Sequence, residues 1–174
     1  MENAMNARDK MRKVALFALT LTLLLGGCQT SDTNGNFQLY LTDQAIEGLE
    51  HVYVTISSIQ VEKGDSVITL WEGTETYDLL ALQGVEELMV DVDLEAGTYT
   101  AVIIELDAVS IVINGRTIDL SINPGWEVRI PVTFTITDEG NCEVVLDFEA
   151  DSSLEGYGDQ YYFIPVISIK RIGY

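Results

Sequence analysis

From Phe37 onward, apolar and polar residues alternate along most of the chain. The clearest run places Val128, Ile130, Val132 and Phe134 on one face, with polar or charged residues between most of them. A period of two residues is typical of a half-buried β-strand. About eight or nine such strands are separated by turn signals, with one short helix predicted around residues 84–89. The pattern predicts an all-β fold, an antiparallel two-sheet β-sandwich in a single domain of residues 37–174.

Three local signals refine this prediction. Residues 99–106 are apolar on both faces, which is typical of a central strand. Asn114-Gly115 lies between two apolar runs and predicts a tight hairpin, because the type I′ turn requires positive φ at both positions. A slip in the apolar phase after Ile56 predicts a β-bulge at Ser57-Ser58.

The N-terminus has the pattern of a bacterial lipoprotein signal. Arg12 and Lys13 precede an apolar run over residues 14–25, and Gly26-Gly27-Cys28 follows. A membrane-spanning helix needs about 20 apolar residues, so this run is too short to be one, and a buried core helix is less favoured here. We expect residues 1–27 to be a signal peptide, with translation starting at Met1 or at Met11.

Cleavage before Cys28 would leave that cysteine to carry the lipid. Residues 28–36 are polar and predict a short flexible tether. Gln29, where an Asp would resemble the inner-membrane retention signal, favours the outer membrane or cell surface. The expected location is the cell envelope, with the membrane as a partner through the lipid on Cys28. Cys142 then has no disulfide partner, and its strand phase predicts a buried, inert thiol.

Acidic residues dominate the part that would remain after cleavage. Residues 1–27 hold four of the nine basic residues and two of the 28 acidic ones, which leaves five against 26 and a net charge of −21. Such a surface repels nucleic acid, so we expect no nucleic-acid partner. It favours a divalent cation or a cationic partner, although solubility alone is the simpler explanation.

The sequence carries little catalytic chemistry. His51 is the only histidine, and no nucleophile elbow, paired-cysteine motif or phosphate-binding glycine loop occurs. A hydrolase that uses paired carboxylates is the least favoured alternative, because chance pairs are common among so many acids. We expect no enzyme and no cofactor, with calcium as the one candidate.

Two acidic clusters supply the candidate calcium ligands. Calcium takes six to eight oxygen ligands, and carboxylates spaced by two residues can contribute several of them. The candidates are Asp91, Asp93 and Glu95 in the first cluster, and Asp147, Glu149 and Asp151 in the second. The alternative is a solvated strand face. If calcium is bound between the two clusters, they should converge in the fold.

Aromatic residues near the end of the chain and after a Pro-Gly turn suggest a ligand platform. The candidate ligand-binding residues are Trp126, Tyr157 and Tyr161, with Trp71 and Tyr162 as further members. Trp126 follows Pro124-Gly125, which favours exposure. Core or cross-strand packing is the competing explanation for all of them.

Six short segments, taken in order, also resemble a known family. They are residues 40–43 (Tyr-Leu-Thr-Asp), 52–56, 77–84, 94–100 (Leu-Glu-Ala-Gly-Thr-Tyr-Thr), 146–153 and 163–167. In this order they resemble the bacterial and archaeal lipoprotein domain of unknown function 4382 (DUF4382). The resemblance implies a surface-anchored β-sandwich of the transthyretin-like or immunoglobulin-like kind. It implies no activity, and it carries no catalytic or ligand residue.

Together these features predict a non-catalytic, lipid-anchored β-sandwich that acts as a binding or structural module at the cell envelope. Its partner would be a glycan or an envelope protein, held by exposed aromatic residues or by an edge strand. A calcium-dependent adhesion or carbohydrate-binding module is the alternative.

Overall fold

The computed structural model describes residues 33–43, 48–157 and 160–174, with Tyr157 described by its backbone alone. These residues lie in one compact unit, residues 32–174. The predicted signal peptide, Met1, Met11, Cys28 and the tether up to residue 32 lie outside the described residues. No helix in the described part of the chain is long and apolar enough to cross a membrane.

Eleven strands and two short helical turns make up the described chain. The strands are β1 (Asn34–Thr42), β2 (His51–Lys63), β3 (Ser66–Asp78), β4 (Glu87–Glu95), β5 (Gly97–Ile113), β6 (Arg116–Leu120), β7 (Trp126–Ile136), β8 (Asn141–Phe148), β9 (Leu154–Tyr157), β10 (Gln160–Phe163) and β11 (Ile167–Gly173). A 3-10 turn, η1 (Leu79–Leu82), precedes β4, and a single α-helical turn, α1 (Ala150–Ser153), precedes β9.

The strands form two main sheets and a separate hairpin. One sheet has four strands in the order β11-β8-β1-β4. The other has five, in the order β3-β2-β5-β6, and β7 pairs with β5 beside β6. β9 and β10 form the hairpin. The long strand β5 is therefore the centre of the five-stranded sheet, as its two apolar faces predict.

The hydrophobic core lies between the two sheets. The rings of Phe37 on β1 and Phe134 on β7 stack with centroids 4.9 Å apart, which joins the four-stranded sheet to the five-stranded one. Tyr99 on β5 stacks on the same Phe134 ring at 5.1 Å. All three side chains are fully buried. The predicted all-β sandwich is confirmed.

The local predictions on β5 and β2 are confirmed as well. Asn114 and Gly115 have φ values of 49° and 67° and form the turn between β5 and β6. The register of β2 shifts between Ile56 and Ser58 against both of its neighbours, which is the predicted bulge. Cys142 is a buried free cysteine.

Three features differ from expectation. The helix predicted around residues 84–89 is wrong, because Gly84 has φ +70° and β4 begins at Glu87. Strand β1 begins at Asn34 rather than at Phe37. The ladder between β1 and β8 is parallel. Periodicity cannot reveal this, because alternation gives the faces of a strand and not the direction of its neighbour.

Several loops meet where β1 ends. Asp43, which follows β1, forms an isolated bridge with Gln83 after η1, and its N–H donates to the carbonyl of Leu82. The Asp43 carboxylate accepts a hydrogen bond from the N–H of Ala150 at the start of α1. At the other end of α1, the Ser153 hydroxyl accepts from the N–H of Val166 at 2.8 Å.

Candidate functional site

Three neighbouring grooves run along β6 and the loop that follows it. They have volumes of about 480, 380 and 590 Å³. Ile122 lines the first two, Ser121 lines the first and the third, and Asp119 and Leu120 line the second and the third. Because the three grooves share these residues, we treat them as one site and call it the β6 groove.

The first part of the β6 groove is formed by residues 121–123 and 125–127. Gly125 has φ +76°, a left-handed conformation that glycine adopts without strain. Its N–H donates to Asp107 Oδ1 at 3.1 Å, so a strand carboxylate fixes the turn. This turn starts β7 and places the half-buried Trp126 opposite Leu106 of β5. The Pro-Gly turn and Asp107 together set the position of the tryptophan.

The second part lies on the outer face of the five-stranded sheet. Tyr53 and Thr55 of β2, Thr76 of β3 and Ser110 of β5 line it with Asp119 of β6. The ring of Tyr53 stacks on His51 with centroids 5.3 Å apart, and His51 Nδ1 lies 2.6 Å from Asp78 Oδ2. Strand alternation places these side chains on the solvent face. The apolar pattern identifies the inward residues of each strand, but it does not show which outward residues form a site.

The third part is a cleft between β6 and the β9–β10 hairpin. Residues 118–121 line one side, and Glu155 with residues 160–164 lines the other. Tyr162 and Ile164 are 50% and 57% exposed. Tyr161 lies opposite Gly156 in the hairpin, and a Cβ at position 156 would meet the Tyr161 ring at 3.3 Å. The absence of a side chain at Gly156 therefore lets the tyrosine ring lie close to the backbone of the opposite strand.

The charge of the β6 groove has one sign. Its carboxylates are Asp107, Asp119, Glu127 and Glu155, and the described lining residues include no Lys, Arg or His. The remaining lining is aromatic, aliphatic, hydroxyl or amide. Such a surface can stack flat groups, accept hydrogen bonds and attract positive charge.

The structure brings two of the three predicted aromatic residues into this site. Trp126 and Tyr161 line parts of the groove that share Ser121. The backbone of Tyr157 pairs with Gln160 at the tip of the hairpin, while its side chain lies outside the described residues. Tyr162 also lines the cleft. Trp71 lies on β3, apart from the groove, where it packs partly against the core.

The first predicted calcium cluster lies on the exposed face of β4. Asp91 accepts hydrogen bonds from Asn36 Nδ2 at 2.7 Å and Gln38 Nε2 at 3.0 Å, which lower the pKa of its carboxyl below the ordinary 3.8. Glu95 pairs with Lys63 at 2.9 Å. Asp93 is exposed beside Asn36 in the ladder. Two of these three carboxylates are already held by side chains of neighbouring strands.

The second cluster surrounds the end of β8. Asp147 is buried and lies opposite Thr42 in the parallel ladder. The carbonyl of Glu149 accepts a hydrogen bond from the Ser153 hydroxyl at 2.7 Å. Asp151 accepts one from the N–H of Ser152, also at 2.7 Å. Strand β1 separates this cluster from β4.

The two acidic clusters do not converge in the described part of the chain. No group of three or more His, Cys, Asp or Glu side chains among the described residues is placed to hold a metal ion. The calcium site stays a prediction.

Comparison with known proteins gives one match. The model of the family described as Domain of unknown function (DUF4382) matches residues 34–165. The match begins with the first strand and includes every residue that lines the β6 groove. No curated protein and no solved structure matches the chain.

Proposed function

This chain belongs to the DUF4382 family, and we propose that it is a non-catalytic, lipid-anchored module of the cell envelope that binds an extended ligand in the β6 groove. The observation that carries the proposal is that Trp126 and Tyr161 line two adjoining parts of one elongated groove, and that these parts share Ser121. The two residues come from separate parts of the chain, and their half-buried rings line the groove beside polar groups, as expected of a ligand site.

The extended shape of the groove favours part of a polymer over a small compact metabolite. Its first and third parts follow one another along residues 118–127 of β6, the loop and β7, and the second extends from them across the outer face of the five-stranded sheet. Each part is open to solvent and combines flat apolar surface with a few hydrogen-bonding groups. A ligand that contacts several shallow parts gains affinity from each of them, whereas a small molecule would fill only one.

The anchor is proposed from the sequence. Gly26-Gly27-Cys28 after a short apolar run is the signal that would direct lipid to Cys28. Because β1 begins at Asn34, the chain between the lipid and the sandwich spans at most about 20 Å. A lipid on Cys28 would therefore hold the sandwich close to its membrane, within reach of ligands in the envelope.

One experiment tests the anchor. Cells that express the wild-type chain or Cys28→Ser are labelled with a fatty-acid analogue, and the protein is purified under denaturing conditions. We expect label on the wild type and none on Cys28→Ser. The circular dichroism of the two purified proteins should be the same. Equal labelling of both proteins would refute lipidation at Cys28.

A second experiment tests the groove. The compact unit, residues 32–174, is made without the lipid anchor and is called the soluble domain. It is sedimented with isolated envelopes, and the bound fraction is compared for the wild type, Trp126→Ala and Tyr161→Ala. Both variants should bind less. Tyr174→Ala is the matched control, because Tyr174 is 77% exposed and lies outside the groove. Equal binding by all four proteins would refute the proposed site. Release of shortened polymer would identify a hydrolase instead.

A further inference from the structure

Strand β6 has one free edge, and that edge borders the largest part of the β6 groove. β6 pairs with β5 along Arg116–Leu120 and ends the strand order of its sheet. Among the described residues, no strand pairs with its other side. A free edge exposes N–H and C=O groups at alternate residues, which can bond an added strand.

The cleft beside this edge has room for an extended peptide. Its volume is about 590 Å³, and it lies between residues 118–121 and the β9–β10 hairpin. Five strand residues extend over about 17 Å, so the free edge of β6 matches a peptide of about five residues. Tyr161, Tyr162 and Ile164 lie on the far side of the cleft, where they could contact side chains of such a peptide.

The charge of the site selects among peptides. Asp119 is exposed on β6 and lines the second and third parts of the groove, together with Asp107 and Glu155 respectively, and Glu127 lines the first part. A Lys or Arg side chain complements these carboxylates and can also lie over a tyrosine ring. An acidic or phosphorylated peptide would be repelled, and a neutral glycan would gain no attraction from the negative charge of the groove.

We propose that the β6 groove binds an extended, Lys- or Arg-bearing segment of a partner protein, which adds to the free edge of β6 as a further strand. The inference rests on the proposed function, since it names the ligand class of the same site. Main-chain hydrogen bonds to β6 supply part of the affinity, and the carboxylates and tyrosines select the cationic side chains.

The test uses the soluble domain and a matched set of short peptides. The first alternates Lys with Val and is capped at both ends. The second is the same peptide with alternate backbone nitrogens methylated, which keeps its charge and removes the donors needed for strand pairing. The third has Glu in place of Lys. Binding is followed by isothermal titration calorimetry at low salt.

We expect the first peptide to bind, with methylation weakening its affinity about tenfold or more through lost main-chain hydrogen bonds. The Glu peptide should not bind. Raising the salt from about 0.05 M to about 0.5 M should weaken binding several-fold, since it screens the attraction. Asp119→Asn should cost about two- to fivefold in affinity, the range for one exposed charge pair. Asp65→Asn, the same change in the exposed β2–β3 turn, should cost nothing.

Equal affinity of the methylated and unmethylated peptides would overturn strand addition. If the Lys peptide did not bind at a concentration of about 1 mM, which corresponds to a weak specific affinity, the inference would be overturned altogether. If envelopes still bound the domain in a Trp126-dependent way, the proposed function would stand and the ligand would belong to another class. A neutral oligosaccharide that displaced the envelopes would identify that class as glycan.

Discussion

The carboxylate of Asp43 accepts a hydrogen bond from the backbone N–H of Ala150 at 3.1 Å, across 107 residues of chain. Asp43 follows β1, and Ala150 begins α1 at the end of β8. The Asp43 side chain is 4% exposed, and its backbone N–H donates to the carbonyl of Leu82. One acidic residue therefore joins three segments of the chain at the end of the sandwich.

This contact predicts that Asp43 stabilises the fold. Replacing Asp43 with Ala removes the side-chain acceptor and leaves the N–H of Ala150 buried without it, which should lower the free energy of unfolding by about 1–3 kcal/mol. Asp43→Asn keeps one side-chain oxygen and should cost less. Urea denaturation followed by tryptophan fluorescence measures both variants.

Asp65→Ala is the control for the loss of an aspartate, because Asp65 lies exposed in the β2–β3 turn. It should change the stability by less than about 0.5 kcal/mol. If Asp43→Ala and Asp65→Ala unfolded at the same urea concentration as the wild type, Asp43 would not have the structural role that its contacts indicate.

The sequence shows which residues face inward, but it does not show which strands become neighbours. Alternation places Val128, Ile130 and Phe134 on one face of a strand, and all but the half-buried Val128 are buried. The parallel pairing of β1 with β8 depends on contacts between segments about a hundred residues apart. Periodicity within a strand carries no information about such contacts.

The helix predicted around residues 84–89 shows how tertiary context overrides local preference. Glu86, Glu87, Leu88 and Met89 favour helices. In the fold, Leu88 pairs with Tyr40 and Glu87 with Leu41, so the segment extends the edge of the four-stranded sheet. The hydrogen bonds and burial gained along β1 outweigh a preference of a few tenths of a kcal/mol per residue.

The candidate site was only partly visible in the sequence. Aromatic residues after a Pro-Gly turn and near the C-terminus suggest Trp126, Tyr157 and Tyr161, of which Trp126 and Tyr161 line the groove. Asp119 and Tyr53 gave no signal, because each is an ordinary outward residue of an alternating strand. They become site residues because β6, β2 and the β9–β10 hairpin surround one groove, an arrangement that follows from topology.

The ion pair between β2 and β7 predicts a loss of stability in acid. Arg129 donates to Glu62 from Nε at 2.7 Å and from Nη2 at 2.6 Å. These hydrogen bonds lower the pKa of the Glu62 carboxyl below its ordinary 4.5. As the pH falls below about 4.5, the unfolded chain takes up this proton before the folded one does. The stabilisation is complete above that pH and is lost as the pH falls through the lowered pKa.

The measurement compares urea midpoints between about pH 6 and pH 3 for the wild type and two variants. Glu62→Gln should lose less stability over this range than the wild type. Glu72→Gln makes the same chemical change at an exposed residue of β3, and its profile should follow that of the wild type. Parallel profiles for all three proteins would contradict the linkage between Glu62 ionisation and folding.

Burial predicts that Cys142 is unreactive in the folded protein. Its side chain is 1% exposed, and burial raises the pKa of its thiol to about 11. Because the thiolate is the reactive form, the Cys28→Ser variant should resist iodoacetamide at about pH 8 and react fully in denaturant. Thr74→Cys in the same background supplies an exposed thiol on β3 as the positive control. Fast alkylation of native Cys142 would show that this region opens.

The contact between Gly156 and Tyr161 predicts a variant that alters the groove while leaving the core intact. A Cβ at position 156 would lie 3.3 Å from Tyr161 Cε1 and 3.5 Å from its Cδ1. Gly156→Ala therefore requires a shift of a few tenths of an ångström, whereas the two methyl groups of Gly156→Val would displace the ring.

We expect Gly156→Val to bind envelopes as weakly as Tyr161→Ala does, and Gly156→Ala to bind them about as well as the wild type. Both should keep the wild-type free energy of unfolding to within about 1 kcal/mol, because residue 156 itself is exposed. Full binding by Gly156→Val would show that the position of the Tyr161 ring does not matter for the ligand.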